Sequence, residues 1–182
     1  RIESGDYLMC IYKVIISRIE SNSKRNFEYL HPVILNANKA GQIEFLDDEY
    51  AKAFFGICQK HAERIKEPLE FNDQIIADLR PHFVKKLILV QNQYLQNEQV
   101  KLESYKQRKI KELNIYYKSR IRYWEERVSE ADFNEKAKKL LQANLKNLSN
   151  TKDEYQIRLE AVENLKLNAS NSLVSLSYVQ VT

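Results

Sequence analysis

The chain has 182 residues, room for one ordinary domain or for a small domain with an extended appendage. Its 43% hydrophobic and 30% charged residues fit a folded, soluble protein, and a net charge of +4 is too small a surplus to argue for nucleic acid by itself. Three Gly and three Pro leave few places for turns, which favours long helices and comes close to excluding phosphate-cradling glycine loops.

Residues 7–19 (YLMCIYKVIISRI) are rich in β-branched and aromatic side chains. From Tyr12 onward apolar groups fall on both faces, the pattern of a central strand covered on both sides. The polar run 21–26 predicts a turn. Residues 27–37 (FEYLHPVILNA) form a second predicted strand, in which Pro32 argues for an edge or a bulge. A turn at 36–41 and a short third strand at 42–45 follow. Asp47, Asp48 and Glu49 then place an N-cap and acids on the positive end of a helix dipole. This helix is expected to run to about Ile65, burying Tyr50, Ala53, Phe54, Ile57, Cys58 and Ala62, before Glu67 and Pro68 end it.

Asn72 or Asp73 caps the next predicted helix, with Ile75, Ile76 and Leu79, which Pro81 is expected to break or kink. No Gly or Pro follows Pro81. Apolar residues recur at Phe83, Leu87, Val90 and Tyr94, lapse near Glu98, and resume at Leu102 through Ile110, Leu113, Tyr117, Ile121, Trp124 and Val128. Such steps of three and four mark a coiled-coil-like seam. A reversal is expected at residues 129–132, where Ser129 or Asp132 can cap a return helix. That helix shows Phe133, Ala137, Leu141, Leu145, Leu148, Tyr155, Leu159 and Val162, with the alternation failing at Lys152, whose stem can cover the seam while its ammonium snorkels. Helices of this length reach roughly 50–65 Å and cannot bury their stripes alone, so they are expected to pair with each other.

Asn168 to Asn171 should break the return helix, and residues 173–181 (LVSLSYVQV) alternate as a half-buried strand that needs the N-terminal sheet as a partner. The expected fold is therefore α+β: a small β-sheet with a packing helix, from which a long antiparallel helical hairpin (a coiled coil) projects, mostly α by residue count. The expected divisions are a base at 1–72, a hairpin at 73–168 and a returning strand at 169–182. Because the chain opens on Arg1 and holds one Met, Met9, it reads as a segment of a longer polypeptide.

Chemistry-bearing motifs are sparse. Cys10 and Cys58 form no CxxC or ligand spacing and read as two reduced thiols in a cytoplasmic protein. His31, His61 and His82 have no metal-ligand partner at i+3 or i+4, so no metal is expected. No GxxxxGK[ST], GxGxxG or GxSxG occurs, which argues against a catalytic or cofactor-binding site in this chain. The strongest apolar stretch, residues 7–16, is interrupted by Lys13 and is too short to cross a bilayer. Asn147 and Asn168 match the glycosylation triplet, but an Asn-rich chain produces such matches by chance.

The stretch 101–127 holds nine basic residues against four acids, interleaved with Tyr105, Tyr116, Tyr117, Tyr123 and Trp124. Basic plus aromatic is the pattern that grips nucleic-acid backbones and stacks on bases. The candidate contact residues are Arg108, Lys109, Lys118, Arg120, Arg122, Tyr123, Trp124 and Arg127, with Arg120, Arg122 and Trp124 first. The competing reading is a solvated helix face whose bases pair with acids such as Glu130, Asp132, Glu135, Asp153 and Glu154.

The order of parts resembles the C-terminal region of bacterial Swi/Snf-type helicase-like ATPases, a group that includes the RNA-polymerase-associated recycling ATPase and phage-defence relatives. The resemblance lies in YLMCIYKVIISRIES (7–21), EYLHPVILNANKAG (28–41), LDDEYAKAFFGI (46–57), SYKQRKIKELNIYYKSRIRYWEERV (104–128) and NSLVSLSYVQV (171–181). Ser and Gln stand at the end where that family has small and apolar residues closing on Pro. The resemblance implies that ATP and magnesium would be bound by motor domains elsewhere in a parent chain, since the phosphate loop and Asp-Glu box are absent here. It also implies partners: the parent's own motor, DNA or RNA, and RNA polymerase or another protein. The expected function is thus a non-catalytic C-terminal accessory domain of such an ATPase, contacting nucleic acid or a partner through the hairpin. The alternative is a structural coiled-coil or adaptor module that mediates protein association or oligomerisation without nucleic acid.

Overall fold

The computed structural model describes residues 3–20, 23–37, 43–63, 73–133 and 138–182, with the backbone alone for residues 73–76. The elements run β1 (Gly5–Glu20), β2 (Ser23–Asn36), β3 (Glu44–Phe45), α1 (Asp48–His61), α2 (Asp73–Phe133), α3 (Lys138–Glu163) and β4 (Lys166–Val181). The class is α+β: the described residues form a four-stranded antiparallel sheet, ordered β3-β2-β1-β4, and three helices, one of them 61 residues long. Helix α1 ends at His61, with Ala62 already extended, short of the expected end near Ile65. The expected features at 38–42, 64–72 and 134–137, including Pro68, the Asn72 cap and Ala137, lie outside the described residues, as do the side chains of Ile75 and Ile76.

Contacts divide the chain into two compact units, one of residues 1–17, 26–96 and 168–182, the other of residues 18–25 and 97–167. In the first unit β1 and β2 lie side by side as neighbours in the sheet. The Ala37 amide donates to the Asp6 carbonyl at 2.8 Å, and the Ser17 hydroxyl donates to Asn26 Oδ1 at 2.9 Å. Those links set 6 against 37 and 17 against 26, the rising-against-falling numbers of an antiparallel pair. Strand β2 begins at Ser23, so most of the expected polar turn at 21–26 is strand instead. β3 covers only Leu35 and Asn36 of β2, so Pro32 sits where the outer edge of β2 has no ladder to lose by a missing N–H.

Both faces of the central strand are covered. Tyr7 and Met9 pack with Ile34, Ala51 and Phe54 under α1, the Tyr7 and Phe54 rings lying 4.8 Å apart. Residues of opposite parity, Leu8, Cys10, Tyr12, Val14 and Ile16, are also buried. The first turns of α2 add buried Phe83, Leu87 and Val90, with Phe83 edge-on to Phe45 at 5.1 Å. Each such side chain contributes on the order of 1.5–3 kcal/mol by leaving water.

Helix α1 starts as expected: Asp47 Oδ1 accepts from the amides of Glu49 (3.0 Å) and Tyr50 (2.9 Å). Its buried face differs from the expected one by about one residue. Ala51 and Phe54 are buried, with Phe55 and Cys58 packed beside them, whereas Tyr50 and Ile57 stand 52% and 47% exposed. The adjacent Phe54 and Phe55 allow either stripe, and the contact with Tyr7 selects one. Pro81 does not end α2.

A polar cluster links the sheet to α1 and α2 within the first unit. His31 is 2% exposed; its Nδ1 lies 3.1 Å from the Tyr94 hydroxyl and its Nε2 3.7 Å from Asp48 Oδ1. Lys86 Nζ closes on the same Asp48 oxygen at 2.8 Å. Burial lowers the His31 pKa; Asp48 counters it, while Lys52 and Lys86 add to the lowering. For Asp48, burial opposes ionisation, but Lys86, His31 and Lys52 together hold the carboxyl below its ordinary value.

Strand β4 is a hydrogen-bonded neighbour of β1, the partner that the alternation at 173–181 demanded. The helix before it stops at Glu163, earlier than the expected break at Asn168, and Asn168 to Asn171 are already strand. The closing turn is made by amides of Asn164 and Leu165, which donate to Glu160 O at 2.9 Å and Val162 O at 3.3 Å.

Candidate functional site

In the second unit α2 and α3 run antiparallel. Lys106 Nζ donates to the Glu163 carbonyl (2.9 Å), Tyr155 hydrogen-bonds Asn114, Arg120 approaches Glu154 (3.9 Å), and the Asn144 amide reaches Arg127 O (3.2 Å). Rising numbers on one helix meet falling numbers on the other, as a hairpin requires. The α2 seam buries Leu102, Leu113, Tyr117 and Ala131. Tyr117 is 1% exposed, with its ring 5.3 Å from that of Tyr155. Burial raises the pKa of its phenol, and the hydrogen bond from Tyr117 holds the Glu154 carboxyl below its ordinary value.

Four expectations along this seam are corrected. Residues 129–132 do not form the reversal: α2 continues through them to Phe133, with Ala131 1% exposed in the seam. Phe133, expected to open the stripe of the return helix, is 89% exposed. On α3 the seam runs through Leu141, Asn144, Leu148, Thr151 and Tyr155 in unbroken steps of three and four. Thr151 therefore takes the place assigned to Lys152. It is 4% exposed and its hydroxyl donates to Asn147 O at 2.7 Å. Lys152 points outward to Glu125 at 3.1 Å, and Leu145 is 42% exposed. The polar lapse on α2 is a buried carboxylate, Glu98, 5% exposed and 2.6 Å from Lys101 Nζ.

The candidate contact residues fall into two groups. Arg120 donates to the Tyr116 hydroxyl (2.8 Å) beside Glu154, and Trp124 is half-buried with its ring 5.0 Å from Tyr123. Lys109 pairs with Glu112 at 3.1 Å, and Arg127 lies between Glu130 (3.7 Å) and the Tyr123 ring (5.5 Å). Tyr123 is 48% exposed. These five residues are thus largely engaged by neighbours on their own hairpin.

Arg108, Lys118 and Arg122 belong to a different face. Together with Lys111 and Ile115 they form an outward stripe, Arg108-Lys111-Ile115-Lys118-Arg122, in steps of three and four, every member exposed. No carboxylate interrupts it. Glu112, on its flank, is held by Lys109, and Glu126 pairs with Arg122 at 2.9 Å. Lys111 and Lys118 make no ion pair among the described residues. The stripe spans roughly 21 Å of helix. Lys111 was not among the candidate contacts; the signal that finds it is the second period on α2, running two residues out of phase with the apolar one.

No group of three or more His, Cys, Asp or Glu able to hold a metal occurs among the described residues. Burial pushes the Cys10 thiol up to about 11, so it is a poor nucleophile at neutral pH. No helix among the described residues is long and apolar enough to cross a membrane. Comparison with family models, with curated proteins and with solved structures finds no match to this chain.

Proposed function

We propose that this chain is a non-catalytic accessory domain of a helicase-like ATPase, and that the outer face of α2 lies along a nucleic-acid backbone. The observation that carries the contact is the stripe of four exposed cations from Arg108 to Arg122, with no carboxylate at a stripe position, Arg122 pairing with Glu126 just beyond it, and Lys111 and Lys118 unpaired among the described residues. Phosphate contact of this kind is independent of base sequence, since nothing in the stripe can hydrogen-bond a base edge in a fixed frame except the two arginines. ATP and magnesium would belong to motor domains of the parent chain, on which the first unit would dock through the exposed α1 face bearing Tyr50 and Ile57. RNA polymerase or another protein is the further partner that the resemblance suggests. Free Cys10 and Cys58 are in keeping with a cytoplasmic setting.

Fluorescence anisotropy with labelled duplex and single-stranded DNA and RNA tests the contact. Four phosphate contacts give a log–log salt slope of about −3.6 on duplex, at −0.9 each. Lys111→Gln with Lys118→Gln should bring the slope to about −1.8 and weaken binding to every sequence alike. No binding at low salt would refute the reading. A second reading, an adaptor without nucleic acid, is favoured by the pairing of Lys109, Arg122, Arg127 and Lys152 with carboxylates of the same hairpin. Under it the double variant behaves as wild type in every assay.

A further inference from the structure

Strand β4 closes one side of the sheet, with β1 as its only strand neighbour among the described residues. An edge strand carries a row of N–H and C=O groups aimed away from the sheet, and folded proteins usually blunt it with charge, proline, a bulge or a short length. The opposite side of this sheet is blunted in that way: β2 carries Lys24, Arg25 and Pro32, and β3 is two residues long. β4 carries one charge, Lys166 at its first residue, and no proline. It is 16 residues long, and residues 168–182 contain no Asp, Glu, Lys, Arg, His, Pro or Gly.

Its side chains are uncovered at the middle of the strand. Leu173 is 53% and Val174 56% exposed, with Leu176 at 38%. Successive strand residues point to opposite faces, so neither face of β4 is covered there. Toward its end β4 is tied in, Val179 and Val181 packing on the core beneath α1. Nearer its start Asn171 hydrogen-bonds Gln91 of α2.

We propose that β4 pairs antiparallel with β4 of a second copy of this chain, about a two-fold axis normal to the sheet near Leu173 and Val174. Self-pairing follows from where the apolar and charged residues lie. The axis of an isologous contact sets each nearby residue against its own copy or a close neighbour. A charge there would face itself, and this strand has no charge over its paired length. An edge built for a different protein would gain specificity from complementary charge, and β4 offers none after Lys166. The exposed apolar residues cluster at the strand's midpoint, where a two-fold brings them together. The result is one continuous sheet joined across roughly 46 Å of strand. This inference stands independently of the basic stripe on α2.

Size-exclusion chromatography with light scattering across the micromolar range reads the outcome. The expected mass is twice the 21.6 kDa of one chain, falling to a single chain on dilution. Val174→Lys sets like charges face to face and should weaken the dimer at least tenfold, while Val174→Thr should leave it intact. Leu173→Lys provides a second variant on the opposite face. Both positions are exposed, so circular dichroism and melting temperature should match those of the monomeric wild type. A wild-type mass of 21.6 kDa throughout would overturn the proposal, as would a dimer untouched by both lysine variants. Should either variant melt early, hydrogen exchange on the wild type decides. Protection of the residue 170–178 amides must rise with protein concentration, and protection independent of concentration overturns the proposal.

Discussion

Tyr116 and Tyr117 are chemically identical neighbours in the middle of α2, and the structure gives them opposite roles. Tyr117 is 1% exposed, its ring 5.3 Å from Tyr155 of α3, whereas Tyr116 is 51% exposed, its hydroxyl accepting from Arg120 and its ring edge-on to Tyr117. Tyr117→Ala deletes a fully buried ring and leaves a cavity, so it should cost about 3–5 kcal/mol. Of this, loss of the ring pair with Tyr155 accounts for roughly 0.5–1.5 kcal/mol. Tyr117→Phe keeps the ring and loses only the hydroxyl bond to Glu154, so it should cost much less than Tyr117→Ala. Tyr116→Ala removes exposed surface, the hydrogen bond from Arg120 and the edge contact with the Tyr117 ring, and should cost about 1 kcal/mol or less. Urea unfolding followed by far-ultraviolet circular dichroism, with the fluorescence of the single Trp124 as a reporter inside the hairpin, measures all three. Equal losses for the two alanine variants, or a Tyr117→Ala cost below about 1 kcal/mol, would mean that α2 does not present this side to α3.

Other perturbations separate the remaining assignments. Thr151→Val should be neutral or stabilising by up to about 1 kcal/mol, because the hydroxyl only back-bonds to a helix carbonyl, and Lys152→Ala should cost under about 1 kcal/mol as an exposed pair; a larger loss at Lys152 in thermal unfolding would restore it to the seam. Asp47→Ala should cost about 1 kcal/mol by leaving the Glu49 and Tyr50 amides without their cap, and Asp47→Asn should recover most of it. The His31 pKa is lowered in the folded state, so unfolding takes up protons and stability is lost as pH falls below the ordinary histidine value near 6.5. Asp48, whose folded pKa is also lowered, adds a separate loss as pH falls below 3.8. Melting temperatures between pH 8 and pH 5 should therefore decline in the wild type and decline less in His31→Asn; identical slopes would remove His31 as the source.

What was legible in the sequence is what repeats locally. The scarcity of Gly and Pro, the three-four spacing from Phe83 to Val128 and the Asp47 cap specify long helices and their starts, because these depend on residues within a few turns of one another. The alternation at 173–181 likewise announced a strand that needs a sheet. The outward basic stripe was legible in principle too, since its period is that of the helix, but the stronger apolar period beside it hid Lys111.

What the sequence could not decide is which of two adjacent faces is buried. One residue along a helix rotates the side chain by about 100°, and this chain repeatedly offers apolar neighbours: Phe54 with Phe55, Tyr116 with Tyr117, Leu140 with Leu141. The choice falls to the partner surface: Tyr7 selects the face of α1, and α3 selects Tyr117. The same holds for Thr151 over Lys152, where an outward hydrogen-bonded ion pair and a small buried side chain satisfy the seam better than a snorkelling ammonium. Sequence by itself determined that this chain makes a small α+β sheet unit and a long helical pair, since those follow from local periodicity. Tertiary structure alone decided which side chains close the seam, which cations are spent on their own acids, and which strand is left with an open edge, since each depends on residues brought together from distant parts of the chain.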